Sequence, residues 1–226
     1  MGLPLPQPCA GRPLRVAVRP MSRGPRLLPT PVGLELLGPA APDWDAVFGG
    51  SGGGLELEIG SGYGHFALGY CARHPGARYI AFEWRKKWAR HVQAQADKRG
   101  LRNLRVIEGD ARLHVPRLFR PGTLAGIHLQ FPDPWWKRAH QKRAVLSPEF
   151  ARLLLELGEP GARMDLRTDV RELGELMLKT AEQAGWHNPL GAGVFHPADP
   201  EEVPSSRERR YLAAGEPVYR GRLEKR

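Results

Sequence analysis

The chain has 226 residues, 41% of them hydrophobic, enough for one packed domain with extensions. No apolar run approaches the roughly 20 residues that a membrane-spanning helix needs, so the composition argues for a soluble protein. Thirty-four basic against 24 acidic residues give a formal net charge of +10, which points to a polyanionic partner. Of the 34 cations 27 are arginine, whose planar fork suits phosphate, although a GC-rich genome gives the same bias. The two cysteines, Cys9 and Cys71, lie far apart without metal-ligand spacing. That argues against a disulfide framework or a metal site and for a reducing cytoplasm.

Residues 1–53 are rich in proline, glycine and arginine, end in GGSGGG, and read as an irregular or flexible arm. From residue 54 the pattern changes to short apolar runs separated by helical segments. Leu55–Ile59, Tyr79–Phe82, Leu104–Ile107, Leu124–Phe131 and Ala162–Leu166 are strand candidates. Between them Gly64–Arg73, Arg85–Arg99, Ala111–Phe119 and Pro148–Leu157 suit helices, with Ser147 as a cap before Pro148. Asp169–Ala184 suits a further helix, capped by Thr168 or Asp169. Strands alternating with helices predict an α/β fold with a mostly parallel central sheet and helices on both faces. Ligands of such sheets bind beyond the carboxyl ends of the strands.

Acidic residues stand at those ends. The first strand runs into Glu58-Ile-Gly60-Ser-Gly62-Tyr-Gly64, where alternate glycines permit a sharp turn and close approach to a ligand. The spacing is G-x-G-x-G and not the G-x-G-x-x-G of dinucleotide folds, which disfavours a nicotinamide cofactor. Glu83 ends the second strand, where a carboxylate can accept ribose hydroxyls. The third strand leads to Glu108-Gly-Asp110-Ala111, where Asp110 could receive an adenine amine or serve only as a helix cap. The fourth gives Phe131-Pro-Asp133-Pro-Trp135-Trp-Lys137-Arg138-Ala-His140-Gln-Lys142-Arg143. Two prolines restrict the backbone around Asp133. Two tryptophans offer stacking faces and four cations offer phosphate contacts, unless they form only a structural corner with a solvated face.

The order E-x-G-x-G-x-G, FE, GDA resembles the S-adenosylmethionine-binding half of class I methyltransferases. The segment FPDPWWKRAHQKR strongly resembles the corresponding segment of bacterial tRNA (guanine-N7)-methyltransferases. That likeness continues through Thr168-Asp169 and the C-terminal stretches Ser205-Ser-Arg-Glu208 and Gly215–Arg220, and covers about residues 55–226. It implies a class I methyltransferase, Rossmann-like fold, in a domain 54–226 with a basic RNA-binding loop at 134–146 and a substrate segment at 204–226. It implies S-adenosyl-L-methionine held by Glu58, Gly60, Gly62, Gly64, Glu83, Asp110, Ala111 and Asp133, with Asp133 also catalytic. Lys137, Asp169, Ser205, Ser206, Arg207 and Glu208 would contact substrate, and Arg138, His140, Lys142 and Arg143 the RNA. The family usually shows T-[KR]-[FY]-E where this chain has Ser205-Ser206-Arg207-Glu208, so the basic and aromatic positions are altered. The implied reaction is methylation of N7 of the variable-loop guanine of tRNA, position 46, in a cytoplasmic monomer or homodimer without metal or membrane. Rival readings are a class I methyltransferase for another RNA base or a protein, and a non-catalytic RNA-binding subunit.

Overall fold

Strand and helix alternation produces six strands in one sheet, in the order β3-β2-β1-β4-β5-β6. The computed structural model describes residues 33, 36–38, 40–50, 52–134 and 144–226. The strands are β1 (Leu55–Ile59), β2 (Arg78–Glu83), β3 (Leu104–Glu108), β4 (Leu124–Gln130), β5 (Gly158–Thr168) and β6 (Tyr219–Glu224). β1 to β5 pair in parallel, and β6 lies antiparallel on β5. The helices are α1 (Trp44–Phe48), α2 (His65–Arg73), α3 (Lys86–Lys98), α4 (Ala111–Leu118), α5 (Pro148–Leu157), α6 (Arg171–Ala184) and α7 (Ser206–Ala213). None among the described residues is long and apolar enough to cross a membrane.

The continuous apolar run of β2 shows why the strands are covered twice. Tyr79, Ile80, Ala81 and Phe82 are all buried, as a parallel strand between two helical layers requires. Tyr79 and Ala81 join a cluster with Phe66, Leu68, Ala89 and Val92 of α2 and α3. Ile80 and Phe82 join the larger cluster, which contains Val115 of α4, Leu154 of α5 and Met177 of α6. The chain leaves β1 for β2 on one side, and β4 pairs with β1 on the other. The crevice therefore opens at the carboxyl ends of β1 and β4.

The local signals at helix starts act as their chemistry dictates. Ser147 Oγ accepts the Phe150 amide at 3.2 Å, with Pro148 in the first turn of α5. At α6 the expected cap is displaced. Thr168 is still paired with Tyr219 as the last residue of β5, so the helix starts at Arg171 with Val170 as its N-cap. The Thr168 hydroxyl accepts the Val170 amide instead. The expected N-terminal arm also contains structure before residue 53. Asp43 caps α1, and Trp44 is buried, donating its indole N–H to Leu118 O at 3.1 Å and stacking on Phe119.

The C-terminal elements β6 and α7, which the sequence pattern did not announce, are joined to β5 by a chain of ion pairs. Glu208 accepts Arg167 at 2.7 Å on one carboxylate oxygen and Arg220 at 2.7 Å on the other. It also closes a capping box with Ser205 at the start of α7. Arg167 continues to Glu202 at 2.7 Å, Glu202 to Arg222, and Arg222 to Asp165 at 3.1 Å. Glu208 and Arg167 are 3% and 5% exposed at the side chain, so neither charge can turn to water. Removing one partner of such a pair strands the other in a low dielectric, at about 3–5 kcal/mol. Glu208→Gln should therefore lower the unfolding free energy by about 3 kcal/mol or more in urea titrations; a loss below about 1 kcal/mol would show that solvent compensates the arginines.

Candidate functional site

The glycine turn after β1 is tied to the end of β2. Gly60 and Ser61 donate their amides to Phe82 O, each at 2.9 Å, and Gly62 donates to Glu83 Oε2 at 2.8 Å. The other Glu83 oxygen accepts the Arg85 amide at 2.8 Å. Gly60 and Gly62 have φ of 83° and 54°, and a Cβ built on either would meet nothing within 4 Å. Left-handed backbone thus opens the turn to a ligand that approaches the main chain. Gly64 serves packing instead. A Cβ there would lie 2.5 Å from Val92, so its absence lets α2 pack on α3.

Carboxylates line the same edge of the sheet. Glu58 is 1% exposed, and one of its oxygens has no partner among the described residues. Burial pushes its carboxyl from an ordinary 4.5 up to about 7, against the pull of His128 and Tyr79 and with the help of Glu83. Burial also raises Glu83, against the amides of Arg85 and Gly62, and the Asp133 charge adds to the rise. Glu58, Glu83 and Asp133 therefore share one field although they come from three strand ends. Asp110 stands one strand further out. It caps α4 through the Arg112 amide and grips the Arg112 guanidinium at 2.6 Å, while Gly109 donates to Glu83 O at 3.1 Å. Ala111 is buried beneath it in the first turn of α4.

The turn beyond β4 pivots on Phe131, whose φ of 50° is the one left-handed value among the described non-glycine residues. Its amide donates to Arg167 O at 2.8 Å, which pins the turn to the end of β5. Asp133 then projects as an exposed residue between Pro132 and Pro134. Across from it Asp169 accepts Arg207 at 3.2 Å. Burial acts to raise the Asp169 carboxyl, but the Tyr211 hydroxyl and the Arg207 guanidinium outweigh it and hold the group below its usual range. Phe131 and Tyr211 lie nearly parallel with ring centroids 6.3 Å apart, and Arg207 sits beside both, 5.6 and 5.9 Å from the centroids. The altered family position is thus filled by a guanidinium that touches Asp169 and two aromatic rings. Ser205 Oγ accepts the Glu208 amide and the Glu208 carboxylate is taken by Arg167 of β5 and Arg220 of β6, whereas Ser206 Oγ is buried without a partner among the described residues. Lys137, Arg138, His140, Lys142 and Arg143 lie outside the described residues.

Several residues of the site carried no motif. Among the described residues the Gln130 side-chain amide, at the end of β4, is buried with neither atom paired, as is Ser61 Oγ in the glycine turn and one oxygen of Glu108 at the end of β3. Buried polar groups without partners are rare in folded proteins. Their collection along one edge, beside Glu58, fits a ligand that brings its own donors and acceptors. An ammonium and a ribose with adenine would meet Glu58 and Glu83, which supply carboxylates, and an open glycine turn. The residues present fit S-adenosyl-L-methionine. Among the described residues no group of three or more histidines, cysteines or acids could hold a metal ion.

Comparison with known proteins agrees with this geometry. Residues 54–220 match the model of a family described as "Putative methyltransferase". The chain is 66% identical over 206 residues to a tRNA (guanine-N(7)-)-methyltransferase of Myxococcus xanthus (strain DK1622), covering 91% of this chain and 99% of the relative. It is 50% identical to the protein of the same name from Anaeromyxobacter dehalogenans (strain 2CP-C), covering 81% and 92%. The fold is similar to that of the 16S rRNA methyltransferase KamB, with a TM-score of 0.59, 19% identity and coverage of 82% and 94%.

The buried state of Glu58 has a consequence for stability. Between pH 4.5 and about 7 the folded protein keeps a proton on Glu58 that the unfolded chain has lost, so the stability that Glu58 contributes falls as pH rises through that window. Glu58→Gln removes this dependence. The unfolding free energy of the variant relative to the parent should improve by roughly 3 kcal/mol between pH 4.5 and 8, measured by denaturant titration without ligand. A difference that does not change with pH would overturn the assignment of a raised carboxyl.

Proposed function

We propose that this chain, which belongs to the tRNA (guanine-N(7)-)-methyltransferase family, methylates N7 of the variable-loop guanine of tRNA, position 46, with S-adenosyl-L-methionine as donor. The observation that carries the reading is the pairing of two sets of carboxylates at one sheet edge. Glu58 and Glu83 end β1 and β2, on the side suited to the donor, and Asp133 and Asp169 follow the neighbouring strands β4 and β5.

The cofactor supplies, when bound, an electrophilic methyl group on a sulfonium. Glu58, Gly60, Gly62, Glu83, Asp110, Ala111 and Asp133 are the residues that would hold it, with Gly64 packing α2 on α3 behind the turn. Guanine N7 has an in-plane lone pair and no proton to lose, so the site needs no strong general base. What the protein can add is orientation and a preorganised field. The methylated guanine is cationic, and a carboxylate nearby stabilises that developing charge. A carboxylate accepting from the N1–H and N2–H edge raises electron density on the ring. Asp133 and Asp169 fill these two roles. Arg207 and Tyr211 keep Asp169 ionised and aimed. Lys137, Ser206 and Arg207 complete the substrate side, Ser205 and Glu208 support it by seating α7, and Arg138, His140, Lys142 and Arg143 hold the backbone.

The test incubates the protein with methyl-labelled S-adenosyl-L-methionine and unmodified tRNA, then digests the RNA. Labelled 7-methylguanosine is expected, and it should vanish when the variable-loop guanine is replaced. Label in another nucleoside would overturn the substrate, cofactor binding with no label would point to a missing partner or a different acceptor, and failure to bind cofactor would favour the non-catalytic reading. In the same assay Asp133→Asn should lower kcat by about 10²–10³ while cofactor affinity changes little. Unchanged turnover in that variant would end the catalytic role of Asp133.

A further inference from the structure

The run Trp84-Arg85-Lys86-Lys87-Trp88 enters the site described above only through Arg85, whose amide donates to Glu83. It leaves the end of β2 and forms the first turn of α3. Trp84 is 66% exposed and Tyr63, from the glycine turn, is 54% exposed, which are costly places for large aromatic rings. Tyr63 lies against Trp88 with ring centroids 3.8 Å apart. Arg85 stands 5.1 Å over the Trp84 ring and Lys87 5.1 Å over the Trp88 ring. Arg85, Lys86 and Lys87 are exposed, and none is in an ion pair with a described carboxylate.

Local stability accounts for Arg85 in part, since its charge favours the Glu83 carboxylate, but not for Lys86 or Lys87. α3 has no acid in its first turn, and its N-cap, Arg85, makes no side-chain capping bond. Positive charge at a helix N-terminus opposes the helix dipole and costs about 0.3–1 kcal/mol per group. The placement does serve a polyanion. Cations interleaved with flat aromatic faces can take phosphates and splayed bases together. The patch borders the crevice, since Glu83 immediately precedes it and feels the charge of Asp133. Positive charge also continues past it, because His65 lies in the fields of Arg209 on α7 and Arg99 at the end of α3.

We infer that Trp84, Arg85, Lys86, Lys87 and Trp88, with Tyr63, form a second docking surface for the tRNA, separate from the loop at 134–146. The surface grips backbone phosphates on the β2 side of the crevice while the target guanine is presented beside Asp133 and Asp169. The inference rests on the reading of the chain as a tRNA methyltransferase. The occupant is RNA and not an acidic protein, because flat rings alternate with cations at a site edge that RNA must already reach.

The full chain carrying Lys86→Glu and Lys87→Glu tests it, with unmodified tRNA as the probe. KM for tRNA should rise about tenfold at physiological salt, and the plot of log affinity against log salt should become shallower by about 1.8. At saturating tRNA, kcat should stay within twofold, as should cofactor affinity. Tm should hold or rise, since glutamates suit the first turn of a helix, and this separates lost binding from lost folding. An unchanged KM and salt slope in a wild-type enzyme that makes 7-methylguanosine would overturn the docking surface alone. A wild-type protein that labels no tRNA would overturn the underlying reading and the surface with it. Loss of cofactor affinity in step with tRNA affinity would overturn the surface by placing these lysines at the donor site.

Discussion

The Glu83 carboxylate holds the Gly62 amide on one oxygen and the Arg85 amide on the other, each at 2.8 Å. Through these two bonds the β1–α2 turn and the entry to α3 hang on the end of β2. The glycine turn would otherwise be a flexible segment, since glycine loses more backbone freedom on folding than any other residue. One buried carboxylate thus sets the main-chain shape of the crevice and keeps acceptor capacity for a ligand, because each carboxylate oxygen can take more than one donor. Its neighbours inherit their geometry from it. Gly109 is fixed to its carbonyl at 3.1 Å, and Asp110 follows directly.

The other half of the crevice depends on charge buried at a distance. Arg167 lies one register step from the turn that carries Asp133, and its carbonyl receives the Phe131 amide. Its guanidinium is held by Glu202 and Glu208, so the end of β5 is anchored to α7. The same helix carries Arg207 and Tyr211, which meet Asp169 and Phe131. Glu208 therefore acts on the crevice through Arg167 and the position of α7, and its carboxylate is occupied by protein partners. Burying such ions is costly unless every partner is present, which gives α7 a single seating in place of a range of positions.

Much of this was legible in the sequence, and the gaps have physical causes. Short apolar runs such as Tyr79–Phe82 reveal a doubly covered strand because nearly every residue must be apolar. β6 was hidden because Tyr219-Arg-Gly-Arg-Leu-Glu offers few apolar residues and an internal glycine; its arginines, Arg220 and Arg222, pair with Glu208 and Asp165. α7 was hidden as a polar run, Ser-Arg-Glu-Arg-Arg, without apolar periodicity; its one local signal, the capping-box spacing of Ser205 and Glu208, was not among the expectations. The strand-end acids were visible by position. Gln130, Ser61 and the Phe131–Tyr211 pair were not, since their meaning lies in missing partners and in contacts across about eighty residues of chain.

The distribution of charge brings these halves together. A protein with a net charge of +10 gathers at least four carboxylates, Glu58, Glu83, Asp133 and Asp169, along one edge of its sheet. Like charges there repel, and the repulsion is visible where Glu83 raises Glu58 and Asp133 raises Glu83. Such a cluster lowers the stability of the empty protein and is relieved by a cation. A sulfonium donor with an ammonium group and a base that becomes cationic on methylation both provide that relief, and a neutral product would not. The basic patch beside β2, proposed above as an RNA-docking surface, addresses a different charge, that of the RNA backbone. Both features follow from a reaction that carries positive charge to a site on a polyanion, which requires an acidic floor inside a basic rim.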